Sequence, residues 1–276
     1  MKLRMAFVLH KDDSGAERYG TFSIFPDASV VHAVSTRFGG VSKPPYDSMN
    51  LALHVGDDAA DAVENRRRFL GLLGLDFDRL TTPEQIHGDK IVRVGEVEAG
   101  RGRLSYTDAI RGTDALMTDV PGIPLMLCFA DCTPILLFDP LHRAVAIAHG
   151  GWKGTVRSIA AKTVRAMGEA YGTRPEDCFA GIGPAIGSCC YEVGGEVAEE
   201  FRKSFPQFAE DILLEENGKI HLDLWKANRL QLEDAGLLPG HIDVAGVCTS
   251  CHARTFFSYR AEGPTIGRIA AIMAIR

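Results

Sequence analysis

The 276-residue sequence lacks an excess of positive charge: 30 Lys plus Arg stand against 36 Asp plus Glu, a net charge of −6. With no block of like charges, it offers no electrostatic footprint for nucleic acid or for an anionic membrane surface, and neither partner is expected. It also lacks a long hydrophobic run. The longest apolar stretch lies between Pro124 and Asp139 and is interrupted by Asp131, far short of a bilayer span. Lys2 and Arg4 precede only a brief apolar run, Met5 to Leu9, with no small-residue cleavage site, so a cytoplasmic protein is expected. No repeat, low-complexity tract or Pro/Ser-rich linker divides residues 1–276, which read as a single domain. The G-x-G-x-x-G and G-x-x-x-x-G-K-[ST] patterns are missing, which excludes the common dinucleotide and P-loop readings. What is present is seven Cys and nine His in a chain of otherwise ordinary composition. An odd number of cysteines does not suggest a disulfide framework; reduced, buried or metal-bound thiols are expected.

The hydrophobic pattern mixes strand and helix signals. Phe22–Phe25, Val30–Val34, Ile91–Val94, Leu125–Phe129, Ile135–Phe138, Ala144–Ala148, Phe179–Ile182 and Ile242–Cys248 read as strands. Ile266–Ile275 reads as a strand or a helix. Helices are predicted over Asp58–Leu73, over Val156–Tyr171 with Gly172 as the C-terminal glycine, over Glu196–Phe205, and from an Asp223 N-cap to before Gly236. This alternation suits an α/β (α+β) layered fold.

Three short segments set a metal-ligating residue beside a turn: Gln85-Ile86-His87-Gly88, Ala130-Asp131-Cys132-Thr133-Pro134, and His149-Gly150-Gly151-Trp152-Lys153-Gly154. One thiolate and two imidazoles are three ligands, the arrangement that leaves a fourth position open in catalytic zinc sites. A second reading of the same residues is a Cys132–His149 nucleophile pair, and a lone Cys or His in an apolar strand is usually a packed core residue. Asp131 is a candidate general acid/base or partner to a ligand, and otherwise a turn carboxylate. Arg37 is a candidate clamp for phosphate or carboxylate, and otherwise a surface charge. Cys248-Thr249-Ser250-Cys251-His252 matches both a haem-attachment pattern and C-x-x-C, but follows a late strand and has no export signal before it.

Taken together, these segments are similar to a known family. They join Ser35-Thr36-Arg37-Phe38-Gly39-Gly40, Met49-Asn50-Leu51 with His54-Val55-Gly56-Asp57, Asn65-Arg66, Gly112-Thr113-Asp114-Ala115, Gly183-Pro184, Cys189 with Tyr191-Glu192, Phe256-Phe257-Ser258-Tyr259-Arg260 and Gly267-Arg268. From about Ser35 to Arg276 the chain resembles the laccase-domain family, first described as multicopper polyphenol oxidases and later recognised as zinc-dependent purine nucleoside phosphorylases that also deaminate adenosine. The resemblance implies metal ligands at His87, Cys132 and His149, with Zn²⁺ favoured over Cu²⁺. It implies one α/β domain of packed layers, with central mixed β-sheets flanked by helices. It implies phosphorolysis of adenosine, inosine, guanosine or 5′-methylthioadenosine to free base and ribose 1-phosphate, so the expected partners are a purine nucleoside and phosphate. Cys248-x-x-Cys251 is typical of many members. Gly150 stands where Ala is frequent, and Lys153 where Arg is common, so Lys153 would meet an anion as a point charge instead of a fork.

On this reading Cys132, His149 and Asp131 are the catalytic candidates, and Arg37, Asn50 and Lys153 the substrate-binding ones. The remaining cysteines, Cys128, Cys178, Cys189, Cys190, Cys248 and Cys251, are expected as reduced packing residues. Copper-dependent polyphenol oxidation is disfavoured because none of the nine histidines forms an H-x-H pair. Two further functions compete with nucleoside cleavage: an amide hydrolase using Cys132 to edit cell-wall precursors, and a nucleotide-sensing or scaffold protein without turnover.

Overall fold

The structure, a computed structural model, describes residues 5–26 and 28–276. Lys2 and Arg4, the charges that bear on a targeting segment, lie outside the described residues. In chain order the elements are β1 (Phe7–Lys11), β2 (Glu17–Phe22), β3 (Val30–Ser35), α1 (Ala59–Leu73), β4 (Ile91–Arg93), β5 (Ala115–Thr118), β6 (Leu125–Phe129), β7 (Thr133–Asp139) and β8 (Ala144–Gly150). They continue through α2 (Trp152–Val156), α3 (Ile159–Tyr171), β9 (Phe179–Ile182), β10 (Glu192–Val193), α4 (Gly195–Ser204), α5 (Ala209–Ile212) and β11 (Leu213–Glu216). The chain closes with β12 (Lys219–Leu222), α6 (Leu224–Asp234), β13 (Ile242–Val244), α7 (Tyr259–Glu262) and β14 (Ile269–Ile275).

Two sheets stack face to face. The first, ordered β1-β2-β3-β14-β6, is antiparallel; the second, β13-β9-β7-β8-β5-β4, is mixed. Side-chain alternation sorts each strand onto two faces. Ala271, Met273 and Ile275 of β14 meet Leu136, Phe138, Val145 and Ile147 of β7 and β8 in the inter-sheet core. The opposite face of β14, Ala270 and Ile272, packs on Phe69 and Leu70 of α1. The opposite face of β7, Ile135 and Leu137, packs on Ile159, Val164 and Met167 of α3 and Leu232 of α6. Four layers result, helix, sheet, sheet and helix, which is the α+β layered architecture expected. A third, small antiparallel sheet, β10-β12-β11, joins α4 and α5 around Phe201, Phe205, Ile212 and Leu222.

Several local expectations hold. Asp223 caps α6 by accepting from Lys226 N at 2.9 Å, and Gly172 ends α3 at φ +80°. Others shift. The strand expected at Phe22–Phe25 ends at Phe22, and its body is Glu17–Phe22 in a hairpin with β1 that polar residues concealed. The helix expected from Val156 is two helices, broken at Ser158 with φ +61°. Ile242–Cys248 is a strand only to Val244; beyond it a single bridge joins Ala185 to Cys248. Ile269–Ile275 is a central strand buried on both faces, so no period of two showed in its sequence.

Candidate metal centre and its pocket

The antiparallel register of β7 and β8 pairs Thr133 with Gly150 and Pro134 with His149, which brings Cys132, just before β7, to the end of β8. On the other side β5 pairs Ala115 with Ala148, and His149 N donates to Asp114 O at 2.8 Å. His87 lies in the loop before β4. Its backbone adopts φ +60°, unusual for a non-glycine residue, and the turn is held by Asp114: Oδ1 accepts from His87 N at 3.0 Å, and Oδ2 from Gly88 N at 2.6 Å and Ile86 N at 3.3 Å. The same Oδ1 accepts from His149 Nδ1 at 2.9 Å, so one buried carboxylate orients both histidines. Three segments far apart in sequence thus converge at one end of the second sheet.

The ligand atoms of His87, Cys132 and His149 all lie within 4.8 Å of one another. Gly151 permits that approach: a Cβ there would stand 3.0 Å from Cys132 Sγ and 3.3 Å from His87 Cδ2. Burial opposes ionisation of the Cys132 thiol, yet the charge and hydrogen bond of His149, with the hydrogen bond of His87, overcome it and bring the thiol down to about 6. Burial likewise opposes a charged His149, but the Cys132 thiolate and Asp114 outweigh it and raise the imidazole to about 9. Burial alone would raise the Asp114 carboxyl; the His149 interaction and the Gly88 and Ile86 amides hold it below the usual range. With Nδ1 engaged by Asp114, His149 presents Nε2 to the cluster. A soft thiolate and two imidazoles, one anchored by a buried carboxylate, fit a borderline-soft divalent cation with an open position.

The cluster lines a cavity of roughly 470 Å³, within the range of small-molecule sites. Its wall includes Trp152, Tyr191 and Tyr259 as aromatic surface, Ile186 and Leu224 as aliphatic surface, and Arg260 and Arg268 as cations. His54 and Gln85 also line it. The Gln85 amide is locked to the backbone of Cys128, donating to its O at 2.9 Å and accepting from its N at 2.8 Å. Desolvation of the His54 ring, with Arg268 and Arg66 nearby, holds its imidazole down to about 4, so it is neutral near pH 7.

Asp131 lines the cavity, but its carboxylate is also structural: Oδ1 accepts from Thr249 Oγ1 at 2.5 Å and Oδ2 from Arg260 N at 2.8 Å. The three expected substrate groups lie elsewhere. Arg37 sits in a separate depression, donating to Ala253 O and Glu262 Oε1 and stacking on Phe257, so its guanidinium is spent on the fold. Asn50 is fully buried, bonded through its amide to Ala52 and Asp57 and accepting from Arg268 N. Lys153 is exposed, its Nζ 5.5 Å from the Trp152 ring and outside the cavity lining. Sequence reasoning passed over Arg260, Arg268, Asp114 and Gln85 as site residues. Each stands inside a motif named above, but no spacing shows that Asp114 and Gln85, before β5 and β4, meet Arg260 of α7 and Arg268 before β14 of the other sheet.

The packing expectation for the cysteines also needs correction. Cys128, Cys178 and Cys248 are buried, whereas Cys189 and Cys251 are exposed, and Cys189, Cys190, Cys248 and Cys251 gather into a second cluster.

Residues 31–276 match the family described as multi-copper polyphenol oxidoreductase laccase. The chain is 41% identical over 252 residues to "Purine nucleoside phosphorylase YlmD" of Geobacillus stearothermophilus, covering 91% of this chain and 92% of that protein. It is 36% identical over 241 residues to "Adenosine deaminase RL5" from an unknown prokaryotic organism, covering 86% and 91% of the two chains. The crystal structure of YlmD from Geobacillus stearothermophilus superposes with a TM-score of 0.92 at 39% identity, covering 97% of this chain and 98% of that one.

Proposed function

We propose, from the premise that this chain belongs to the laccase-domain family of purine nucleoside phosphorylases and adenosine deaminases, that it cleaves purine nucleosides with phosphate and deaminates adenosine at the His87–Cys132–His149 centre. The observation that carries this reading is the convergence of those three ligand atoms within 4.8 Å in the lining of a nucleoside-sized cavity with aromatic and cationic walls. The substrates are adenosine, inosine, guanosine and 5′-methylthioadenosine, and the products are free base and ribose 1-phosphate. Residues 1–276 act as one cytoplasmic domain.

His87, Cys132 and His149 would hold Zn²⁺, which supplies a fixed positive charge and Lewis acidity in the cavity. The several copper ions of a multicopper oxidase are disfavoured because, among the described residues, one cluster alone contains imidazoles. In phosphorolysis a phosphate oxygen bonds to C1′ of the ribose as the C1′–N9 bond breaks, and the base leaves with the bonding pair and takes up a proton. Arg268 and Arg260 are the cations of the cavity wall; backbone carbonyls hold Arg268 through Nη1 and Arg260 through Nη1 and Nη2, and their remaining guanidinium N–H groups bind the phosphate. Trp152, Tyr191 and Tyr259 supply faces for the purine. In deamination water adds at the purine carbon bearing the amine and ammonia departs. Thr249 and the Arg260 amide each use one acceptor site of Asp131, and the other lone pairs can take a proton from the attacking water and pass it to the leaving amine.

The test is a product screen over the four nucleosides, with and without phosphate, on protein of measured metal content. Phosphate-dependent release of base with ribose 1-phosphate is expected, lost in Cys132→Ser. Full phosphorolysis by protein with zinc near zero would overturn the assignment of the three ligands. The low thiol value of Cys132 beside a protonated His149 favours a second reading, an amide hydrolase with Cys132 as nucleophile. An acyl adduct trapped on Cys132 would select it.

A further inference from the structure

The C-x-x-C of the sequence has no part in the reaction above, yet the fold brings it to two more thiols. β9 and β13 are parallel neighbours, with Ile182 opposite Val244, and the bridge from Ala185 to Cys248 carries the pairing into the loops beyond them. One loop ends in Cys189-Cys190; the other contains Cys248 and Cys251. All four Sγ atoms lie within 4.8 Å of one another, with Cys189 to Cys251 at 3.6 Å and Cys190 to Cys251 at 3.4 Å. A tetrahedral site with metal–sulfur bonds of ~2.3 Å places its sulfurs about 3.8 Å apart, whereas a disulfide needs ~2.05 Å.

We propose that Cys189, Cys190, Cys248 and Cys251 form a closed four-thiolate structural zinc site, distinct from the His87–Cys132–His149 centre. Four protein ligands leave no open position, so the role is structural. Cys248 Sγ accepts the Gly187 amide at 3.2 Å, the kind of hydrogen bond that steadies a metal-bound thiolate from outside the ligand set. Binding displaces the thiol protons and involves no redox change. The site fastens one wall of the cavity. Tyr191 follows Cys190 directly, and Arg260 is tied back by Nη1 donating to Cys190 O at 2.8 Å and Nη2 to Glu192 O at 3.2 Å. Thr249, between the two cysteines of the C-x-x-C, donates to Asp131, whose other oxygen receives the Arg260 amide. The cation would therefore set the positions of Tyr191 and Arg260 without touching substrate. The proposal does not depend on which reaction the cavity performs.

The experiment counts zinc in full-length, tag-free protein purified under reducing conditions. Two zinc ions per chain are expected, falling to one in Cys132→Ser and to one in the double variant Cys189→Ser with Cys251→Ser, both of whose sites are exposed. Cobalt loaded into Cys132→Ser should give the intense sulfur-to-metal absorption of a four-thiolate site, absent once the double substitution is added. If the double variant does not fold, X-ray absorption of zinc-loaded Cys132→Ser still decides, a sulfur-only shell being expected. No zinc in Cys132→Ser, a zinc count unchanged by the double substitution, or a mass deficit marking a disulfide in the freshly purified reduced protein would overturn the proposal, whereas a single wild-type zinc that Cys132→Ser keeps would count against the His87–Cys132–His149 centre instead.

Discussion

Replacing Asp114 by Asn tests whether one buried carboxylate organises the metal centre. The carboxylate accepts on both oxygens, from His149 Nδ1 and His87 N on Oδ1 and from Gly88 N and Ile86 N on Oδ2. Asparagine keeps the shape but turns one acceptor into an NH₂ donor. If its oxygen faces His149, the NH₂ meets the Gly88 amide, which stood 2.6 Å from Oδ2. Turned the other way, it meets His149 and the His87 amide. Either way a buried N–H loses its acceptor, at a cost of about 1–3 kcal/mol. Loss of the anchor behind a ligating histidine typically weakens metal binding about 10–100-fold. Competition against a fluorescent chelator should therefore show zinc affinity weakened by about that factor in Asp114→Asn. Metal-free protein should melt lower, by about 2–4 °C for each kcal/mol lost. The pH dependence has a fixed sign. The folded carboxyl lies below its unfolded value of 3.8, so its stabilising share is complete above that value and is lost as pH falls through the lowered one. In Asp114→Asn that acid-side loss should shrink. Unchanged zinc affinity in a well-folded variant would refute the role given to Asp114.

Gly151→Ala places a Cβ 3.0 Å from Cys132 Sγ and should weaken zinc binding at least severalfold, with little change in the fold by circular dichroism; normal affinity would remove the reason given for glycine there. Arg268→Gln should raise the KM for phosphate by an order of magnitude or more, whereas Arg37→Gln should leave that KM near wild type and lower stability by about 1–3 kcal/mol through its lost bonds to Ala253 and Glu262. The opposite pattern would return the anion site to Arg37. His54 should titrate near 4 by NMR. Because its folded value lies below the ordinary 6.5, the unfolded chain takes up that proton first, and this ring should cost stability as pH drops from 6.5 towards 4; a midpoint near 6.5 would contradict the environment described. Leu136→Ala in the inter-sheet core should cost about 2–5 kcal/mol in urea unfolding, since the side chain is fully buried between the sheets.

Continuous apolar runs bounded by turn residues, such as Leu125–Phe129 and Ala144–Ala148, were legible as strands, as were the capped helices: Asp223 and Gly172 act as local chemistry requires. Elements whose character depends on neighbours were not. The Glu17–Phe22 strand is polar because it lies in an outer hairpin; Ile266–Ile275 was read as a strand or a helix, and its strand, Ile269–Ile275, shows no alternation to decide between them because sheet packs on one face and helix on the other. The same division runs through the site. Motif by motif, the sequence singled out His87, Cys132 and His149, and the structure brings them together. It also pointed to Arg37, Asn50 and Lys153, because a cation or amide within a motif reads the same whether it faces a ligand or a carbonyl.

By itself, then, the sequence determined chemistry that is local: which side chains are good ligands, where turns set them at strand ends, and which caps stop the helices. Only the tertiary structure decided which of them meet. Antiparallel pairing of β7 with β8 delivers Cys132 to His149, Asp114 draws the His87 turn against them, and the parallel pairing of β9 with β13 gathers four cysteines that the sequence scattered. The physical reason is that a ligand set is a property of strand register across sequence-distant segments, fixed by burial of the apolar faces and by backbone hydrogen bonds. A cysteine read alone is therefore a packing residue, and a ligand only once its neighbours are known.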